Sequence, residues 1–154
     1  MGIKQSIKTV LVFGLAITAC FAIYAQDNVV KTTIQGKVYG FTAQSYSSST
    51  ETMRQLTTDY SLLVRADSVI ASLPYFGQSY SAQFKSEGGI DFVSANFDYT
   101  ADEKKRGRWE ILIRPKDIRG VKLYLTVYAN GTARLQVTSP NRESMSYNGY
   151  VSAR

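Results

Sequence analysis

The stretch VKLYLTVYANGTARLQVTSPNRESMSYNGYV, Val121 to Val151, decides the fold class. Val121, Leu123, Leu125 and Val127 alternate with Lys122, Tyr124, Thr126 and Tyr128, a period of two that puts one face of a strand into a core and the other into water. Asn130-Gly131 follows, the strongest short hairpin signal in the chain, and its simplest reading is a two-residue turn with positive φ at both positions. The chain then returns with Ala133, Leu135 and Val137 inward, turns again through SPNRES, and closes with Met145, Tyr147, Gly149 and Val151 on one face. Three strands joined by local turns read as antiparallel sheet.

The same pattern extends upstream. Trp109, Ile111 and Ile113 alternate up to Pro115, which ends that strand because proline cannot donate to a central ladder. Tyr60, Leu62 and Val64 pair with Val69, Ala71 and Leu73 across a turn at Ala66-Asp67. Tyr39, Phe41 and Ala43 form an earlier strand, followed by a polar connector from Ser45 to Thr52. Between Ile90 and Tyr99 the alternation changes phase, which implies a bulge near Ser94-Asn96. Residues 27–35 carry a weak helical spacing that suits a short helix or a loose arm. No segment is long enough for a helical crossover, so the expectation is an all-β, mainly antiparallel domain, a barrel or sandwich of about seven to eight short strands.

Composition narrows the chemistry. The 154 residues include no histidine and one cysteine, Cys20. Histidine-assisted nucleophiles, histidine general bases and the usual zinc sites all require an imidazole or a thiolate, so they are excluded from the mature domain. The carboxylates at Asp59, Asp67, Asp91, Asp98, Asp102, Glu103, Glu110, Asp117 and Glu143 show no calcium-loop spacing and read as solvated surface groups. No cofactor, metal site or catalytic residue is expected.

Lys4 and Lys8 precede the apolar run Val10 to Ala22, the pattern of an export signal rather than of a membrane span. Cleavage after Ala25 would release a single domain of residues 26–154 beginning at Gln26. The alternative is that Ile17-Thr18-Ala19-Cys20 acts as a lipobox and Cys20 becomes a lipidated first residue; the apolar residues after Cys20 favour soluble release. Removing Lys4 and Lys8 lowers the formal charge from +6 to +4, too mild and too dispersed for nucleic-acid binding.

Three local features are candidate contact sites. LPYFGQSYSAQF, Leu73 to Phe84, concentrates four aromatic rings around Pro74 and Gly77. It reads as a plug in which Phe76 and Phe84 fold under while Tyr75 and Tyr80 present a binding rim. Lys104, Lys105, Arg106 and Arg108 form the densest basic cluster, on a turn; they are a solvated tip or a peripheral contact for anionic lipid. Arg142, near Tyr147 and Tyr150, offers a planar fork to a ligand acid or to loop carbonyls.

LTTDYSLLVRADSVIASLPYFGQSYSAQF, SEGGIDF, KKRGRWEILIRPKD and the NR…SYNGY ending together resemble the DUF4251 family, domains of unknown function in small exported proteins of Bacteroidota. The resemblance covers about residues 36–151. It implies a periplasmic or envelope location in a Gram-negative cell, with some members lipoproteins, and carries over no reaction, cofactor or site residue. In that setting Asp67-Ser68-Val69 is similar to the acceptor tripeptide for O-glycosylation at Ser68.

The leading functional expectation is a non-enzymatic binding module for a small or extended ligand or an envelope partner, with Tyr75, Tyr80, Arg142 and Tyr147 as contact residues. The alternatives are a structural protein of an envelope assembly without small ligand, and a carboxylate-dependent glycan hydrolase.

Overall fold

The structure is a computed structural model that describes residues 30–49, 52–77, 89–140 and 142–154. After a short helix over residues 30–35, nine strands follow: β1 (Tyr39–Ser47), β2 (Arg54–Val64), β3 (Val69–Leu73), β4 (Ile90–Ser94), β5 (Phe97–Glu103), β6 (Trp109–Pro115), β7 (Lys122–Val127), β8 (Thr132–Ser139) and β9 (Arg142–Ala153). They form one sheet in the order β4-β3-β2-β1-β9-β8-β7-β6-β5, every pairing antiparallel, with the last strand returning to the first, Tyr39 opposite Ala153.

Following the antiparallel pairings around the sheet from β1 gives β4 and β5 the same direction. They are the two halves of one bent strand: the first pairs with β3, Val69 opposite Ser94, and the second with β6, Phe97 opposite Pro115. The change of phase in the sequence is therefore a point of partner exchange, and it nearly closes the sheet into a barrel, the barrel alternative of the sequence reading. The kink is fixed to the β6–β7 connection, where Lys116 N donates to Asn96 O at 2.7 Å and the fully buried Ser94 donates its hydroxyl to Asp117 at 2.6 Å.

The alternation read from sequence becomes the barrel interior. Leu62, Val64, Leu73, Ile113, Leu123, Leu125 and Leu135 are buried to within a few per cent, together with the large rings of Tyr39, Phe41 and Tyr147. The interior is filled by side chains, as a barrel of about eight strands allows.

Strand direction sorts the connections into two ends. One end carries the helix, the β2–β3 turn, the basic turn before β6 and the β7–β8 hairpin. There Val30 and Ile34 pack into the core, Tyr99 donates its hydroxyl to Ile34 O at 3.1 Å, and Lys31 pairs with Glu103 at 2.8 Å. The helix stops in a Schellman arrangement, with Val38 N to Thr33 O, Lys37 N to Ile34 O, and Lys37 at φ 53. Glycine is usual at that position; here Lys37 occupies it and lays its ammonium over the Tyr99 ring, 5.0 Å from the centroid.

Three local expectations are corrected. The connector from Ser45 is shorter than its polarity suggests, because β1 runs to Ser47 and a bulge between Ala43 and Ser45 buries both Ser45 and Tyr46. The β7–β8 hairpin is a three-residue loop: Gly131 N bonds to Tyr128 O, Tyr128 N to Thr132 O, and positive φ is confined to Gly131 at 80°. Asn130 instead uses its Oδ1 to accept from Thr132 N at 3.1 Å and from the Thr132 hydroxyl at 2.7 Å. Third, β2 starts at Arg54, well before Tyr60, and pairs across the bulge with Tyr46.

Candidate functional site: a cleft at one mouth of the barrel

The second end is built from the β1–β2, β3–β4, β6–β7 and β8–β9 connections. Between β4 and the loops leading into β7 and β9 lies a cleft of about 470 Å³, the size of a small-ligand site. Ile90, Phe92, Val121 and Val137 make its apolar surface, and Tyr75, Asp91, Arg119, Arg142 and Glu143 bring polar groups to it. The alternation explains the floor: Ile90 and Phe92 sit at inward positions of β4, and Val137 at an inward position of β8. Past the end of β6 no described strand pairs with the second edge of β4, and the cleft lies along that edge.

Arg142 is half-buried, its guanidinium 5.0 Å over the Tyr75 ring, and it donates to Gly89 O at 3.4 Å. The aromatic face and the carbonyl together fix the plane of the fork. Glu143, next in the chain, is 4 % exposed and accepts a hydrogen bond from the Ser49 hydroxyl, which ties the β1–β2 loop to β9. Asp91 lies on the outer face of β4, opposite Ser72, and accepts from its hydroxyl at 2.8 Å. Arg119 stands exposed on the β6–β7 loop, and among the described residues it makes neither ion pair nor hydrogen bond.

The aromatic stretch is arranged the other way round from its sequence reading. Tyr75 is buried at 7 % exposure and lines the cleft, whereas Phe76 is 51 % exposed and stacks on Tyr46 with ring centroids 4.4 Å apart. The chain leaves β3 with Leu73 inward, and the turn at Pro74 makes the tyrosine the next ring to enter the interior. Gly77 permits this packing, since a Cβ there would come 2.8 Å from the Tyr75 hydroxyl. Tyr80 and Phe84 lie outside the described residues, as do Cys20 and the whole of residues 1–29.

Tyr147, grouped with Arg142 by sequence proximity, is not presented to a ligand. It is fully buried, donates its hydroxyl to Pro74 O at 2.6 Å, and burial followed by the neighbouring Tyr75 pushes its phenol well above the ordinary range. It anchors the start of the aromatic stretch to β9. Glu143 is the residue that sequence reasoning missed. Extending the inward series Met145, Tyr147, Gly149 one step back would have placed this carboxylate inside, against the reading that nearly all the acids are solvated.

The basic turn is at the opposite end. Lys104 lies within 3.8 and 3.9 Å of Asp102 and Glu110, and Arg108 pairs with Glu110 at 2.9 Å, so strand carboxylates offset half of the cluster. Lys105 and Arg106 are exposed on a single 3-10 turn in which Arg106 has φ 63. Trp109 is core at 5 % exposure. Ser68 sits on the β2–β3 turn, half-buried, its hydroxyl on Asp67 at 2.9 Å. A broader hollow of about 630 Å³ beside the helix is an open groove edged by the Lys31–Glu103 and Lys104–Asp102 pairs. Among the described residues no cluster of three or more acids is placed to hold a metal, and no helix is long and apolar enough to cross a membrane.

Comparison with known families matches residues 24–151 to a domain of unknown function, DUF4251. The chain belongs to the DUF4251 family. A crystal structure of a DUF4251 family protein from Bacteroides eggerthii DSM 20697 superposes with a TM-score of 0.65 at 14% sequence identity, over 84% of this chain and 88% of that one. At that identity the likeness shows a shared DUF4251 fold. No curated protein matches the sequence.

Proposed function

We propose that this domain is an exported, non-enzymatic binding module that holds a small ligand in the mouth cleft. One observation carries the reading: the barrel interior is filled, yet a largely apolar cleft of about 470 Å³ opens at one end, beneath a guanidinium held in place by an aromatic ring. A site for chemistry would need a pair of poised groups, and Asp91, on the outer face, is engaged by Ser72. The export signal read in residues 1–25 supports a periplasmic or envelope location, where such a module would meet its ligand.

The test uses the chain produced with its own N-terminus and recovered from the envelope fraction, where an intact mass beginning at Gln26 is expected. Titration with the neutral apolar dye N-phenyl-1-naphthylamine should give saturable fluorescence enhancement. Val121→Trp, which fills the cleft from a half-buried loop position, should abolish it without shifting the melting midpoint. Equal enhancement in both proteins, or none in either, would overturn the cleft as a ligand site.

A further inference from the structure

The charges around the cleft are not equivalent, and their differences define a ligand class. Glu143 faces inward and is held by the Ser49 hydroxyl. Asp91 reaches the cleft rim from the outer face of β4 and is held by Ser72. The two arginines approach the cleft from separate connections, Arg142 from the start of β9 and Arg119 from the β6–β7 loop, and Arg119 has no partner among the described residues. Resting on the small-ligand reading above, we propose that the cleft takes an anionic amphiphile, with its apolar chain on Ile90, Phe92, Val121 and Val137 and its acid head at Arg119 and Arg142.

Three physical points support this assignment. An apolar chain gains free energy in proportion to the apolar area it buries, and the cleft walls supply the surface for it. A guanidinium recognises a carboxylate or phosphate through paired, charge-assisted hydrogen bonds, and Arg142 is already oriented by Tyr75 and Gly89. A cationic head would meet Arg119 with like charge, and a neutral head would gain no charge-assisted hydrogen bond from either arginine. Because Tyr147, Leu135 and Leu73 fill the barrel below, the chain lies across the mouth instead of threading down the axis, which favours medium chain lengths.

The experiment is a calorimetric titration of the mature protein with decanoate, decyl phosphate, decanol and decyltrimethylammonium, each below its micelle concentration. Wild type should bind at least one of the two acids about tenfold or more tightly than decanol, a difference of about 1.4 kcal/mol, and should bind the cation least. The tighter of the two acids identifies the head group as carboxylate or phosphate. Arg119→Gln should reduce the acid-over-alcohol preference to within about twofold, and Arg142→Gln should weaken it further, with melting midpoints recorded to show that both variants are folded. Decanol binding as tightly as both acids, or a preference that survives Arg119→Gln, would overturn the anionic assignment while leaving dye binding, and the cleft itself, intact. Loss of dye binding in wild type would instead remove the cleft reading on which the proposal rests.

Discussion

The two ends of this barrel are made from the same alternating strands and finish differently. At the helical end, Val30 and Ile34 enter the core, and the polar atoms they bring are answered locally: Tyr99 donates to Ile34 O and its hydroxyl lies 3.2 Å from that of Tyr39. At the cleft end, the connections bring a buried carboxylate, two arginines and a tyrosine, and leave a hollow between them. A strand pattern sets what fills the middle of a barrel, and the connections decide whether each mouth is sealed or open. The helical end is filled by core side chains and leaves an open groove beside the helix, whereas the cleft end keeps its hollow among charged and aromatic groups.

The largest effect expected is at the wall shared by both ends. A Cβ on Gly149 would lie 1.8 Å from Thr42 O, because the β1 bulge brings the two backbones together. Gly149→Ala should cost about 4 kcal/mol or more and unfold both ends together, read as a collapse of the urea midpoint. A stable variant that loses only dye binding would show that the cleft end folds independently of the barrel wall.

A sharper contrast comes from truncating one apolar side chain at each end. Ile34→Ala should lose about 2 to 5 kcal/mol, since Ile34 is fully buried on the inner face of the helix. Phe76→Ala should lose about 1 kcal/mol, the value of one exposed ring stacked on Tyr46. Equal losses in thermal melts of the two variants would contradict the assignment of one end as core and the other as site.

The smallest effect is a pH dependence confined to alkaline conditions. Burial, then the neighbouring Tyr99, holds the Tyr39 phenol well above its ordinary value of 10.0, and burial also raises Tyr99. A raised phenol is neutral in the folded state while the unfolded chain begins to ionise near 10.0, so its contribution is whole below that pH and is lost as pH rises through the folded value. Urea midpoints should therefore fall above about pH 10, and Tyr39→Phe should flatten the fall. An identical slope in variant and wild type would assign the alkaline loss to other groups.

The strands were legible because burial on one face imposes a period of two, and Val121 to Val151 displays it almost without interruption. The phase change near Ser94-Asn96 was visible too, although the reason for it, exchange of partner from β3 to β6, depends on strands about 20 residues away on either side. Tyr75 and Phe76 were read in the wrong order because a loop has no period, and the inward direction was set by Pro74 and by the Tyr147 hydroxyl waiting below it. Arg142 was legible as a fork; Arg119 was not, since nothing in the sequence around it marks a loop residue as the neighbour of a cleft.

By itself the sequence determined the all-β class, the hairpins, most inward positions of the strands and the exclusion of imidazole chemistry, because each follows from local spacing or from simple inventory. Only the tertiary structure decided barrel over sandwich, which end is sealed, and that Arg119, Arg142, Glu143 and Tyr75 share one cleft. Those facts depend on how far around the sheet the pairings run and on which loops meet at each mouth, and contacts between distant residues leave no period in a single chain.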